Sequence, residues 1–253
     1  MRIAVKFAYK GMKFQGYARQ PKLKTVEGEI IKLLIKNNII NNLKESKFRS
    51  ASRTDKGVSA FGNVFAFNTL LTKNVVFEKL QNQEKDILFY GIKDVDKDFY
   101  PRYAKLRVYS YYLKKQDYDI NKILDIASVF TGEYNFSNFA KIEQDKNPLR
   151  TIENIVITNE DIFFVIDFYA QTFLWHQIRR IVSAIEKFVK NKITKKEIEN
   201  ALENPDIKID LGLAPAEPLI LKDIIYDFEF DYQKNYLKKL AEFKKEIILY
   251  LKN

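Results

Sequence analysis

Apolar residues alternate with others over residues 2–9, which predicts a strand carrying Ile3, Val5, Phe7 and Tyr9 on one face. Thr25 then stands in position to cap a helix on which Val26, Ile30, Leu33 and Leu34 recur at helical spacing. Strand-like runs follow near 47–52 and 62–69, a short helix fits 74–82 and a strand fits 87–93. The order is βαββαβ. Residues 105–114 begin it again with a strand, and Ile120, Ile123, Leu124, Ala127 and Phe130 mark a helix. Strands fit 151–158 and 162–170. A second helical stripe carries Leu174, Ile178, Ile181, Val182, Ile185 and Phe188. Thr194 and Glu197 have the spacing of a capping box for an added helix, residues 223–230 alternate as a sixth element, and a terminal helix spans about 232–251.

The βαββαβ order is that of the ferredoxin-like unit. Two tandem copies predict an α+β fold with a mixed, mainly antiparallel sheet, helices on one face and a central cleft. The expected division is 1–102 and 103–253, at Tyr100-Pro101-Arg102-Tyr103, where proline discourages continuous structure.

The chain has 253 residues, 46% of them hydrophobic, enough to bury a sizeable core. It has no cysteine, so disulfides, thiolate metal sites and a cysteine nucleophile are excluded together. With one histidine, His176, an imidazole-based zinc site has too few ligands, and no nucleophile elbow supplies a serine hydrolase. Lys6 interrupts the first apolar run, which does not read as a signal peptide, and no stretch is apolar for long enough to span a bilayer. A cytoplasmic protein is expected. The net charge of +10 favours polyanionic partners, and 15 tyrosines beside it suit base stacking.

Candidate chemistry concentrates at Ala51-Ser52-Arg53-Thr54-Asp55-Lys56-Gly57-Val58. By local chemistry alone this is a polar turn, with Thr54 and Asp55 able to bond nearby backbone and Gly57 free to take φ > 0. Other segments belong with it. They are Tyr9-Lys10-Gly11 with Phe14 and Gly16, Thr25-Val26-Glu27-Gly28, and Phe99-Tyr100-Pro101-Arg102-Tyr103-Ala104 before Arg107-Val108-Tyr109-Ser110-Tyr111. They continue with the Gly132–Phe139 run, Arg150-Thr151-Ile152, the Phe173–Val182 run and Ala214-Pro215-Ala216-Glu217-Pro218-Leu219. In this order they resemble the signatures of the TruA family of tRNA pseudouridine synthases, whose catalytic run is Arg-Thr-Asp-x-Gly-Val. The resemblance spans nearly the whole chain. Lys10 stands where many members have Asp, Gly16-Tyr17-Ala18 replaces a common Gly-Trp-Gln, and Pro218 stands where many have Gly.

The resemblance implies an isomerase acting on tRNA uridines at positions 38 to 40 of the anticodon stem-loop. It implies a homodimer, and neither cofactor nor metal, because the reaction involves no net redox change, hydrolysis or group transfer. Asp55 would be the catalytic carboxylate, either adding to the pyrimidine ring or assisting removal of a ribose proton. Arg179 would pair with it and favour its charged form. Tyr109 would be the active-site aromatic, with a strand-core role as its alternative. Arg53 would contact RNA and help extrude the base. Tyr111 and Arg180 are candidate substrate contacts, Tyr111 equally a core residue and Arg180 a surface or phosphate-contacting one. Two rivals stand beside this reading: a non-catalytic RNA-binding module, and a metal-dependent nuclease using carboxylate clusters.

Overall fold

The computed structural model describes residues 1–81, 83–116, 118–144, 146–232 and 234–253. The alternation at the N-terminus becomes β1 (Arg2–Tyr9), but every residue of this strand is buried, the polar face as well as the apolar one. The reason is its place: β1 pairs antiparallel with strands on both sides, and material covers both of its faces. The chain continues through α1 (Val26–Lys36), α2 (Leu43–Ser46), β2 (Arg49–Ser50), β3 (Ser59–Asn68), α3 (Lys73–Leu80) and β4 (Ile87–Val95). Thr25 caps α1 as its position suggests, accepting from the Gly28 N–H. The strand expected over 47–52 contracts to Arg49 and Ser50, with the turn that holds Asp55 following directly.

Residues 106–219 form a second compact unit, and residues 220–253 belong with 1–105. The second unit comprises β5 (Leu106–Lys114), α4 (Ile120–Ser128), β6 (Gly132–Asn135), β7 (Leu149–Ile152), β8 (Asn154–Glu160), β9 (Phe163–Ala170), α5 (Gln177–Val189) and α6 (Lys195–Glu203). Here β9 lies between β5 and β8, antiparallel to each, while β6 and β7 form a separate antiparallel pair. The core includes Phe130 and Phe139, with ring centroids 5.1 Å apart, and α4 packs beside α5. The predicted capping box is present, Thr194 and Glu197 each accepting from the other's backbone N–H. Leu174 lies before α5 rather than in its first turn. The Leu174 N–H donates to the Gln177 side chain, and His176, with φ at +64°, marks the start of the helix.

The chain then forms β10 (Leu219–Ile225), β11 (Asp231–Tyr232) and α7 (Tyr236–Lys252). The strand expected at 223–230 thus begins earlier, where Ile220 and Leu221 pair in parallel with Ser59 and Ala60 of β3. In the first unit the antiparallel order is β11, β4, β1, β3, and β2 adds to β3. One face carries the Phe7, Phe48, Phe65 and Phe89 cluster. The other carries Lys6, whose ammonium lies 2.6 Å from Asp223. Residues after β10 cover that face: Tyr232 and Tyr236 lie near-parallel to the Tyr90 ring, and Lys244 of α7 sits 5.1 Å from the Phe61 ring.

Candidate active site

The turn holding Asp55 lies between β2 and β3, at the end of β3 where β10 pairs. Its backbone is held at successive points. The Ala51 N–H donates to Val64 O at 2.8 Å, and the Ser52 carbonyl accepts from the buried Asn63 amide at 3.0 Å. The Thr54 carbonyl accepts from Tyr17 N, and the Thr54 hydroxyl meets the Tyr9 hydroxyl at 2.8 Å. The Val58 N–H closes the turn on the Asp55 carbonyl, with Gly57 at φ +88°. Gly11 lies directly beneath. A β-carbon there would come within 2.2 Å of the Val58 carbonyl oxygen, so only glycine lets the two segments approach. Held this way, Asp55 is half-buried while Arg53 is exposed.

Of the positions that depart from the family pattern, Tyr17 supports this loop, its N–H donating to the Thr54 carbonyl. Tyr17 is buried, its ring centroid 5.9 Å from that of Tyr9, and burial raises its phenol well above the usual tyrosine value. Its carbonyl accepts from the first turn of α1 at Glu27 N. Lys10 is matched by Glu246 of α7 at 2.7 Å and lies 4.9 Å from the Phe243 ring, so its charge has a partner. Neither contact was readable in the sequence, because the partners of Lys10 stand at the far end of the chain.

The remaining candidates belong to the second unit. Tyr109 on β5 is 8% exposed and meets Phe173 edge to face at 5.3 Å. Tyr111, two residues on, is 2% exposed, and its hydroxyl donates to Pro215 O. Burial, with Glu186 nearby, raises its phenol, against the opposing pull of Arg179. Of the two readings for Tyr111 this favours a supporting core role, since little of its ring is open to a substrate. Arg179 projects from the first turn of α5. Its Nε donates to Ala214 O at 2.8 Å, and the Ala214 N–H returns a bond to Arg179 O at 3.1 Å. This exchange joins the Phe173–Val182 and Ala214–Leu219 segments through two residues 35 apart in the sequence. Arg180 pairs with Asp210 at 2.8 Å. The Gly212 N–H and then Arg180 hold the Asp210 carboxyl below its usual range. Among the described residues no three His, Asp or Glu side chains are grouped to hold a metal ion.

Three curated relatives align with nearly all of this chain, and each is described as tRNA pseudouridine synthase A. That of Thermococcus sibiricus is 41% identical over 91% of this chain and 88% of its own. That of Pyrococcus abyssi is 38% identical over 98% and 92%, and that of Methanobrevibacter smithii 33% over 97% and 93%. The chain belongs to the tRNA pseudouridine synthase A family. The family model described as tRNA pseudouridine synthase matches residues 126–227, a span that contains Arg179, Arg180 and their Ala214 and Asp210 partners. Family membership accounts for the run of signatures from Tyr9 to Leu219. Among the described residues no helix is long and apolar enough to cross a membrane.

Proposed function

We propose that this chain isomerises uridine to pseudouridine in tRNA, at positions 38 to 40 of the anticodon stem-loop, with Asp55 as the catalytic carboxylate. One observation carries the assignment. The Ala51–Val58 turn spends its backbone and its Thr54 hydroxyl on fixed bonds, yet Asp55 remains only half-buried. A carboxylate presented from a rigid turn is preorganised for chemistry on a bound nucleotide.

The reaction breaks the bond between ribose C1′ and base N1, turns the base and forms a bond from C1′ to C5. The proton on C5 is lost and N1 gains one, so atoms and electrons balance without a co-reactant. Asp55 either adds to the pyrimidine or assists removal of a ribose proton. A uridine in a stem must first leave its stack, which costs a few kcal/mol. Arg53, exposed beside Asp55, is assigned to the RNA backbone and to extrusion of the base. Arg179 is assigned to keeping the carboxylate charged, and its own bond to Ala214 O limits the rotamers it samples. Tyr109 is assigned to the base, by stacking or proton transfer. Arg180 is assigned to a phosphate, in exchange for Asp210. The enzyme acts as a cytoplasmic homodimer in this reading.

Asp55→Asn removes the charge with little change of size. Turnover should vanish while tRNA binding stays within a few-fold of the parent. Pseudouridine mapping in tRNA after incubation with the purified variant measures the first, and a binding isotherm the second. Near-normal modification by Asp55→Asn would sink the assignment. Turnover in excess EDTA, with the tRNA shown to remain folded, separates this reading from a metal-dependent nuclease. Arg179→Lys should retain more activity than Arg179→Ala, since it keeps the charge without the planar fork.

A further inference from the structure

Trp175 is the chain's only tryptophan, and at 43% exposed it is not a core residue. Tryptophan is usually well buried, so its place at the surface needs a reason. It lies in the turn that leads into α5. Its carbonyl accepts from the Lys141 N–H at 2.8 Å, a bridge that fixes the turn to the segment after the second unit's 3-10 helix at 137–139. The Lys141 ammonium stands 4.1 Å from the indole centroid, and the His176 ring centroid lies 5.0 Å away. His176 holds a left-handed backbone, at φ +64°, that a β-carbon disfavours. A strained residue and an exposed indole therefore sit side by side on one anchored turn.

We infer that Trp175, with Lys141 and His176, is a stacking platform for an unpaired nucleobase of bound RNA. The identity of that RNA as tRNA rests on the function proposed above. The chemistry matches a nucleotide part by part. The indole offers a flat π-face to a base, Lys141 a mobile cation to the adjoining phosphate, and His176 a hydrogen-bonding ring at the edge. Lys141 is itself exposed, so no burial holds its amine over the indole. A cation over an exposed ring is held by roughly two- to fivefold in equilibrium terms. A base stacked on an aromatic contributes roughly five- to 150-fold. The base therefore displaces the amine, which gains a phosphate in return. The chain's net charge of +10 favours a polyanionic partner over an apolar protein one, and at this surface the cation is Lys141.

A single tryptophan makes the test direct. Emission excited at the red edge, where tyrosine does not absorb, reports Trp175 alone, and the anisotropy of labelled tRNA reports binding in parallel. Quenching of the indole should rise with the same midpoint as the anisotropy. Trp175→Phe should bind within about threefold of the parent, and Trp175→Leu should bind about tenfold more weakly. Lys141→Gln should lower the dependence of log affinity on log salt by roughly one unit. Far-ultraviolet circular dichroism of each variant checks folding. If tRNA binds and is modified, yet indole emission stays constant and Trp175→Leu binds like the parent, the platform is overturned while the proposed function stands. If the parent protein binds no tRNA at all, both fall.

Discussion

The hydroxyl of Tyr9 reaches the one residue that separates Arg53 from Asp55, and it does so from a fully buried strand. Tyr9→Phe removes that oxygen and little else. Removing one partner of a fully buried hydrogen bond costs about 1–3 kcal/mol, and this one is only part-buried, Thr54 being half-exposed. The expected result is a stability loss at the low end of that range in urea unfolding, and a fall in kcat that exceeds any rise in KM. Equal kinetics for the variant and the parent would show that the clamp does not govern Asp55. At Tyr109 the comparison is between Phe and Leu. If the phenol transfers a proton, Tyr109→Phe is already nearly inactive in single-turnover assays. If the ring only stacks, Phe keeps most activity and Leu loses it. The turn around Asp55, including the positive φ at Gly57, was legible because its chemistry is local, while the motif itself was legible only by resemblance, its six residues being contiguous. The part played by Tyr9 was not, since a tyrosine in an alternating strand reads as core and its hydroxyl partner lies 45 residues on.

Elements with local signals came out where the pattern placed them. Thr25 and Thr194 both cap helices, because a cap is set by residues within one turn. Thr194→Ala should therefore cost about 1 kcal/mol, read from denaturant unfolding. Elements whose partners lie far away were less legible. The β6–β7 pair joins residues separated by a long excursion, and neither strand carries enough alternation to announce it. The organiser of the 203–211 segment is Asn138, in the 3-10 helix at 137–139. Its amide donates to Ala201 O and Ile207 O at 3.0 Å each, and its oxygen accepts from Ile209 N. No periodicity shows that. Asn138→Ala should cost about 2–3 kcal/mol, because several backbone groups lose their partner together. Hydrogen exchange should speed up first at Ile209. An Asn138→Ala variant with unchanged stability and exchange would remove Asn138 from this role.

Across the whole molecule, buried phenols set a limit at high pH. Burial raises Tyr17 and Tyr90 in the first unit, and Tyr111 and Tyr112 in the second, above the ordinary tyrosine value of 10.0. A raised folded-state value means the unfolded chain releases these protons first. Their contribution is fully present below about pH 10 and is lost as pH rises toward the folded values. Each phenol then subtracts up to about 1.4 kcal/mol per pH unit. Phenolate absorbance from these residues should therefore appear together with loss of circular dichroism, and not before it. The path of the chain has a further consequence. The first unit is begun at residue 1 but receives residues 220–253 last. Translation at about 5–20 residues per second leaves β1–β4 on the ribosome for roughly ten seconds before that segment emerges. Through that interval Phe61 and Tyr90 lack the covering of Lys244, Tyr232 and Tyr236. A nascent chain whose first 219 residues have cleared the ribosome would hold a finished second unit and an open first one, the form that a holdase chaperone captures.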